Sequence, residues 1–401
     1  MDKSRRFVMS GFNLVVPSKI IFGEGKIHTL NKYILEYGDN ILFLCGKTSL
    51  KASGMYDKII ENFESDNISY EIHSIKEEPS VEIIDNLASE YRNKRVDAIV
   101  SIGGGSVIDT GKALSSMLKE DGSIKDFLEG VGTRTPSGKK VPFIAVPTTS
   151  GTGSEATKNA VIKGMDGEVR FKKSIRHDNL MPDVALVDPV LTLNCPKNVT
   201  MQSGIDAFCQ LLEAYICTNS NTFTDMLAEK GLKRMCESLL SAYNNGEDLD
   251  ARNDVAYASL LSGICMANAE LTTIHGFAGV IGGFYDNIPH GAICASLLHG
   301  ATVVNIQKIK DFEPNNPAAY KYAKIGAFLM DANYSPDRHE VFFRAVVDTL
   351  KSWNEEMNIP RLSDFSIEED DFWKILEEAK QRYNPVKLSN SEMEKILEYS
   401  Y

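Results

Sequence analysis

Three short, mostly apolar segments constrain the fold more than any other feature of the sequence. They span residues 39–45, 96–102 and 141–146, and none shows a regular polar–apolar alternation. Strands of this type are buried on both faces, as in a parallel sheet covered by helices on each side. Helical spacing at residues 81–94 and 106–118 makes strand and helix alternate through roughly the first 190 residues. The pattern predicts a doubly wound, Rossmann-like α/β sheet.

The second half of the chain is different, because helical spacing dominates after residue 189. Segments with this spacing cover residues 206–217, 225–243, 254–269 and 317–330. Asp206, Asp225 and Asp254 stand at the start of three of them, where an aspartate oxygen can cap the free amides of a helix. We therefore expect an α/β dinucleotide-binding domain over residues 1–188, an all-helical domain over residues 189–401 and a ligand cleft between them.

Charge and cysteine content narrow the class of function. The formal net charge is −12, which argues against a nucleic-acid partner and favours small molecules. No segment reaches about 18 unbroken apolar residues, so we expect a cytoplasmic protein with no membrane partner. The seven cysteines are scattered, with no CxxC pair, and indicate neither a disulfide framework nor a zinc site made of thiolates.

Two glycine-containing loops follow the second and third apolar segments. Gly103, Gly104, Gly105 and Ser106 precede a predicted helix, where glycine permits close backbone approach and the helix N-terminus attracts phosphate. Residues 147–155 follow the next strand with hydroxyls that can bond ribose, phosphate or a carboxamide. Either loop alone also fits a ligand-free turn. Both lie at carboxyl ends of parallel strands, where open α/β sheets bind ligands, so together they predict a nucleotide site.

An acid and two histidines form a second candidate constellation. Asp206 and Gln210 lie four apart on one helix face, and His275 and His290 follow in glycine-containing segments. A carboxylate oxygen and two imidazoles can hold Fe²⁺ or Zn²⁺ and leave a position open for a substrate oxygen. From the residues alone, a helix cap and two packed histidines explain the same pattern.

In this order, the segments resemble the iron-containing, or group III, alcohol dehydrogenases. The resemblance runs from residues 20–25 through 103–106, 147–155, 180–189 and 204–207 to His275 and residues 289–291, and so covers most of the chain. It implies the dehydroquinate synthase-like architecture of a dinucleotide-binding domain followed by a helical domain. It also implies hydride transfer between NAD(P)H and a small aldehyde or alcohol, and a homodimer.

The resemblance further implies which residues form the site. Asp206, His275 and His290 are implied to be catalytic and to bind a divalent metal, with Gln210 at the fourth ligand position. The residues implied to contact the cofactor are Gly103, Gly104, Gly105, Ser106, Asp109, Thr148, Thr149, Thr152, Asn159, Lys172 and Leu191.

Two positions depart from the family's pattern. Gln210 stands where the family usually has a histidine ligand, and an amide oxygen is a weaker ligand than imidazole. Gly279 stands where the family usually has a histidine near the nicotinamide. Both changes resemble a branch that borders the maleylacetate reductases, which work without metal. Metal dependence is therefore left open.

The choice between NADH and NADPH depends on the end of the second strand. An acidic residue there would bond the adenosine ribose and repel a 2′-phosphate. This chain instead has Gly46, Lys47, Thr48 and Ser49, and we expect Gly46 and Ser49 to border the ribose. Without a carboxylate, and with Lys47 nearby, the sequence predicts that NADPH is accepted.

Aldehyde reduction is the leading functional hypothesis, and four alternatives stay open. The first is a reductase of small anionic aldehydes such as sulfoacetaldehyde or phosphonoacetaldehyde, for which Arg176 is a candidate anion partner, and the maleylacetate-type reductase is the second. A dehydroquinate synthase-like lyase would return the hydride within each cycle and show no net oxidation of NAD(P)H. A non-catalytic protein that kept the fold would bind NAD(P)H and reduce nothing.

Overall fold

The computed structural model describes residues 11–46, 49–52, 54–167, 169–193, 195–286 and 288–401. Within these residues, the N-terminal domain contains a six-stranded sheet in the order β1-β8-β5-β4-β2-β3, and every neighbouring pair is parallel. A separate antiparallel pair, β6 and β7, completes the strands. The strands are β1 Lys19–Phe22, β2 Asn40–Gly46, β3 Ser69–Ile75, β4 Ala98–Gly103, β5 Phe143–Pro147, β6 Asn159–Asp166, β7 Val169–Arg176 and β8 Val184–Val187.

The doubly wound sheet is confirmed, and the reason is visible in strand β5. Phe143 and Ala145 belong to the hydrophobic core on one face of the sheet, whereas Ile144 and Val146 belong to the core on the other face. All four are fully buried. A strand covered on both sides needs apolar residues at every position, which is why these segments show no alternation.

Helices cover the sheet, and the two that the sequence predicts in this domain are present. Residues predicted as 81–94 form a helix that ends at Tyr91, and residues predicted as 106–118 form one that begins at Gly105. The side-chain oxygen of Ser80 accepts a hydrogen bond from the amide of Ile83 and caps the first of them. The helices of this domain are α1 Leu30–Ile34, α2 Ser49–Ala52, α3 Met55–Ser65, α4 Val81–Tyr91 and α5 Gly105–Met117.

The hairpin β6–β7 interrupts the expected alternation of strand and helix. Ala160 and Ile162 lie two apart on β6 and are buried against the same core as Ile175 on β7. The local sequence carries a hairpin signal, because Asp166 ends β6 and is followed by Gly167, whose φ of +62° suits a tight hairpin turn.

The C-terminal domain is helical, as predicted. Its helices are α6 Lys197–Ile216, α7 Thr222–Asn244, α8 Leu249–Asn268, α9 Thr273–Phe284, α10 His290–Phe312, α11 Pro317–Leu329, α12 His339–Glu356, α13 Phe372–Glu378 and α14 Asn390–Ser400.

The expectation that Asp206 caps a helix is wrong, because α6 begins nine residues earlier, at Lys197. Asn221 and Asp248, rather than Asp225 and Asp254, cap α7 and α8. Asp206 therefore lies in the middle of a buried helix, where no free helix amides are available to its carboxylate.

No single helix in the described part of the chain is long and apolar enough to cross a bilayer. Helices α8 and α9 meet the length and composition requirement only as a pair, which is bent by 91°.

Candidate active site

The two glycine-containing loops lie side by side at the carboxyl edge of the sheet. Gly103 pairs with Pro147 in the parallel register, and the amide of Thr148 donates to the carbonyl oxygen of Gly103 at 2.9 Å. A methyl group added to Gly105 would lie 2.8 Å from Cγ2 of Thr152, closer than side chains pack. Glycine is needed here because the second loop touches the first turn of α5. The geometry thus brings together the two loops that the sequence singles out.

Asp109 links this first turn to the neighbouring loop and hairpin. Its carboxylate accepts hydrogen bonds from the hydroxyl of Ser154 and, at 2.9 Å, from the amide of Val161. The nearby ammonium of Lys112 is fully buried, and this burial lowers its pKa to about 8. Lys112 donates to the side chains of Ser154 and Thr157 at 2.9 and 2.7 Å. These bonds show Asp109 fixing the shape of the loops, whereas its predicted contact with the cofactor stays a prediction.

The other residues predicted to contact the cofactor are spread around the same edge. Gly46 ends β2, next to the strand that carries Gly103. Ser49 begins α2, and Lys47 and Thr48 lie outside the described residues. Leu191 is buried in a short helical turn after β8.

Two cations near the hairpin are already paired with acids. Lys172 lies on β7, and its ammonium is 2.6 Å from a carboxylate oxygen of Glu78. Arg176, the candidate partner for an anionic substrate, forms an ion pair with Glu129 at 2.9 Å. The guanidinium of Arg176 therefore already has an acidic partner in this structure.

The predicted acid and histidines do meet. Nε2 of His275, on α9, lies 3.4 Å from Oδ1 of Asp206 on α6, and Nε2 of His290, at the start of α10, lies 3.9 Å from the same oxygen. A fourth side chain completes the group: Sγ of Cys294 lies 3.9 Å from Nε2 of His275 and 3.6 Å from Nε2 of His290. We call these four residues the acid–histidine cluster, and their ligand atoms lie within 4.8 Å of one another.

Oδ1 of Asp206 is the atom on which the cluster converges. Asp206 is 2% exposed, and Oδ1 has no hydrogen-bond partner within the described part of the chain. An unpaired carboxylate oxygen in a protein interior costs several kcal/mol unless a cation or donor compensates it. Its second oxygen accepts a hydrogen bond from Nε2 of Gln210 at 3.0 Å. A cation between Asp206 and the two imidazoles would satisfy the unpaired atom.

Gln210, the predicted fourth ligand, has both ends of its side-chain amide engaged. Its nitrogen donates to Asp206, and its oxygen accepts from the hydroxyl of Ser262 at 2.8 Å. Gln210 thus holds the Asp206 carboxylate in place. That it binds a metal stays a prediction.

Glu213 is a functional candidate that the sequence analysis missed. This fully buried carboxylate accepts a hydrogen bond from Nδ1 of His275, from the hydroxyl of Thr272 at 2.6 Å and from the amide of Ile274 at 2.7 Å. A proton on Nδ1 leaves the lone pair of Nε2 directed toward Asp206. The signal was available, because positions 206, 210 and 213 repeat on one face of a helix.

Burial and neighbouring charges shift the pKa values of the residues in the cluster. Burial lowers the pKa of His290 to about 4, so that this imidazole is neutral at pH 7. It raises the pKa of the Cys294 thiol to about 12. Burial also acts to raise the pKa of Asp206, but its interactions with His275 and His290 outweigh this effect and hold that pKa below the ordinary value. Burial acts to lower the pKa of His275, but Cys294, Glu213 and Asp206 raise it well above the ordinary value, so a metal would displace a proton from this imidazole.

The second loop joins the nucleotide edge to the acid–histidine cluster. A methyl group on Gly151 would lie 2.5 Å from Cβ of Ser203, which is one helical turn before Asp206 on α6. Gly153 has φ +58°, and a methyl group added to it would lie 2.5 Å from Cα of Gly263 on α8. The loop is therefore packed directly between the two domains, with the glycine-rich turn on one side and the cluster on the other.

Comparison with known proteins agrees with this arrangement. The sequence model of the iron-containing alcohol dehydrogenase family matches residues 17–189. The sequence model of the C-terminal region of the same family matches residues 200–401. Alcohol dehydrogenase 4 of Saccharomyces cerevisiae (strain ATCC 204508 / S288c) is 31% identical over 393 residues, covering 96% of this chain and 97% of the relative. NADPH-dependent butanol dehydrogenase of Clostridium saccharobutylicum is 29% identical, covering 96% of this chain and 97% of the relative.

A solved structure shows the same fold. An archaeal alcohol dehydrogenase from a Red Sea brine pool superposes with a TM-score of 0.87 at 26% identity, covering 99% of this chain and 100% of that one. The expected architecture and the expected alcohol dehydrogenase chemistry with an NAD(P) cofactor are confirmed by these relatives. The chain belongs to the iron-containing alcohol dehydrogenase family.

Proposed function

We propose that this protein uses NAD(P)H to reduce a small aldehyde to an alcohol at the acid–histidine cluster. One observation carries the proposal: the buried, unpaired Oδ1 of Asp206 lies between the imidazoles of His275 and His290. The loop that packs on the glycine-rich turn reaches α6 only one turn before Asp206, so the nucleotide edge and the cluster adjoin one another.

The cofactor is proposed to lie along the carboxyl edge of the sheet, where it supplies the hydride. The free amides of the first turn of α5 suit its phosphates, and the loop hydroxyls suit its ribose and carboxamide. The proposed contacts are Gly46, Ser49, Gly103, Gly104, Gly105, Ser106, Asp109, Thr148, Thr149, Thr152, Asn159, Lys172 and Leu191.

Asp206, His275 and His290 are proposed to hold the divalent metal, Fe²⁺ or Zn²⁺. When bound, the metal would polarise the aldehyde carbonyl and stabilise the developing alkoxide. The chain's part is to keep the ligands in place: Glu213 orients His275, and Gln210 orients Asp206.

The substrate is proposed to enter beside Gly279. This residue lies one turn after His275 on α9, and a methyl group added there would meet no atom within 4 Å. The space is open where the family usually has a histidine. We take an uncharged aldehyde as the substrate class, because Arg176, the candidate partner for an anion, already forms an ion pair with Glu129.

Acceptance of NADPH is part of the proposal, because β2 ends in Gly46 and residues 46–49 contain no carboxylate to repel a 2′-phosphate. A ratio of kcat/KM for NADPH to NADH near or above one is expected. A strong preference for NADH would overturn this part alone.

We also propose a domain boundary, the absence of a nucleic-acid partner, a localisation and an oligomeric state. A division between residues 188 and 189 is supported by the end of β8 at Val187 and the start of α6 at Lys197. The net charge of −12 supports the absence of a nucleic-acid partner. A cytoplasmic homodimer with no membrane partner is the expectation that the family resemblance and the sequence support.

The proposed function is tested with the purified, metal-replete protein and a panel of neutral and anionic aldehydes. Oxidation of NADH and NADPH is followed for each aldehyde, and the alcohol product is quantified. Net, aldehyde-dependent oxidation with equimolar alcohol is expected for the neutral members. Binding of NAD(P)H without net oxidation would instead indicate a lyase-type cycle or a non-catalytic protein.

A further inference from the structure

We propose that the thiolate of Cys294 is the fourth metal ligand, in place of the histidine that Gln210 replaces. The inference rests on the proposed function only in taking Asp206, His275 and His290 as the other three ligands. The cysteine pattern in the sequence does not indicate such a ligand, because Cys294 enters the cluster through the packing of α6, α9 and α10, not through a cysteine motif.

Four distances in the cluster are close to those between neighbouring ligands of a four-coordinate metal, to which an aldehyde oxygen would add a fifth ligand, an expansion that catalytic zinc sites allow. Metal–nitrogen and metal–oxygen bonds of about 2.0–2.2 Å and metal–sulfur bonds of about 2.3 Å place neighbouring ligand atoms roughly 3.3–3.6 Å apart in a tetrahedron. Sγ of Cys294 lies 3.6 and 3.9 Å from the Nε2 atoms of His290 and His275. Oδ1 of Asp206 lies 3.9 and 3.4 Å from the same two nitrogens. For these four pairs, shifts of a few tenths of an ångström would give the distances of ligands around one ion, and all the ligand atoms lie within 4.8 Å of one another.

Gln210 is poorly placed to compete for this position. Its amide oxygen is used by Ser262, and its amide nitrogen is used by Asp206. Turning the oxygen toward a metal would break both bonds inside a core where Gln210 is only 3% exposed. Cys294 needs no such rearrangement of hydrogen bonds, because its sulfur already faces both histidines.

A thiolate at this position would also affect which metal is bound. The thiol proton passes to solvent as the metal binds. A thiolate is a softer ligand than imidazole, so the site is expected to favour Zn²⁺ over Fe²⁺ more than a site with three histidines does.

The test is cobalt substitution of the full-length protein, read by absorption rather than by activity. A bound thiolate gives an intense sulfur-to-cobalt charge-transfer band in the near ultraviolet, which carboxylate, imidazole and amide ligands do not give. We expect the band at one equivalent of Co²⁺ in the unmodified protein and in Cys265→Ser, a control at a buried cysteine outside the cluster. We expect it to be lost in Cys294→Ser and Cys294→Ala.

Metal affinity gives a second measurement. Substitution of residues that merely support ligands weakens metal binding about 10- to 100-fold, so loss of the ligand itself in Cys294→Ala is expected to cost about 100-fold or more. Gln210→Ala should cost less and keep the charge-transfer band. Stoichiometric Co²⁺ without this band in the unmodified protein would overturn the proposal even if a Cys294 variant fails to fold.

The outcomes separate this proposal from the proposed function. Aldehyde reduction without the thiolate band would refute Cys294 as a ligand and leave the reductase assignment standing. The band without aldehyde reduction would support the ligand set and refute the reductase assignment.

Discussion

Glu213 accepts a hydrogen bond from Nδ1 of His275 and so directs Nε2 of that ring toward Asp206. The two residues come from different helices, α6 and α9, and the contact is fully buried on the Glu213 side. Carboxylate–histidine pairs of this kind fix the imidazole tautomer and raise its strength as a metal ligand.

Glu213→Gln should weaken metal binding about 10- to 100-fold, because the neutral amide holds the Nδ1 proton less strongly. Competition with a chelator of known affinity measures this effect. Glu229→Gln, at the half-buried ion pair with Lys324 outside the cluster, is the matched control and should leave the affinity unchanged. Equal affinities for the two variants would show that Glu213 does not orient His275.

Gly105→Ala should raise the KM for NAD(P)H by about 10-fold or more. The added methyl group lies 2.8 Å from Thr152 and must push the second loop away from the first turn of α5. The loss corresponds to about 1.4 kcal/mol of binding. Steady-state kinetics measure it, and metal content should not change. In the control Gly11→Ala, the methyl group meets no atom of the described residues within 4 Å, so any equal rise in KM would argue against this cofactor position.

Gly279→Leu should lower kcat/KM for longer aldehydes at least about 10-fold more than for two-carbon aldehydes, because the side chain fills the open space beside His275. A chain-length series of linear aldehydes measures the difference. A uniform loss at all chain lengths would place the substrate elsewhere.

Glu155 should make stability fall as the pH rises. Burial raises its pKa from 4.5 to about 7 in the folded protein, so the folded state binds more protons than the unfolded state between these values. The stabilising contribution is complete below pH 4.5 and is lost as the pH rises through 7, at a cost of about 3 kcal/mol.

Glu155→Gln should remove most of this dependence, because the amide does not titrate. The midpoint of urea unfolding is compared for the two proteins at pH 5 and pH 8. We expect similar midpoints at the lower pH and a higher midpoint for the variant at the upper pH. A constant difference between them at both pH values would contradict the assignment to Glu155.

The sequence predicts the sheet well because strands covered on both faces leave an unmistakable apolar signature, as residues 143–146 show. It also identifies both loops, because glycine and hydroxyl residues follow directly on those strands. The hairpin β6–β7 is less distinct, because only Ala160, Ile162 and a few partners mark its buried face.

The cluster could be predicted only in part. Asp206, His275 and His290 were chosen among many acids and seven histidines through the family resemblance. Glu213 and Cys294 carry no motif, and their roles depend on how α6, α9 and α10 pack against one another. Asp206 itself was expected to cap a helix, since the apolar spacing before it on α6 is weak.

The central claim is that a metal held by Asp206, His275 and His290 supports aldehyde reduction. The most direct measurement is the rate of aldehyde-dependent NAD(P)H oxidation in protein stripped of metal, before and after one equivalent of Fe²⁺ or Zn²⁺ is restored. We expect a loss of at least about 100-fold on stripping, equivalent to about 2.7 kcal/mol of activation free energy, and recovery on addition of metal. Full activity in stripped protein with no metal by elemental analysis would contradict the claim.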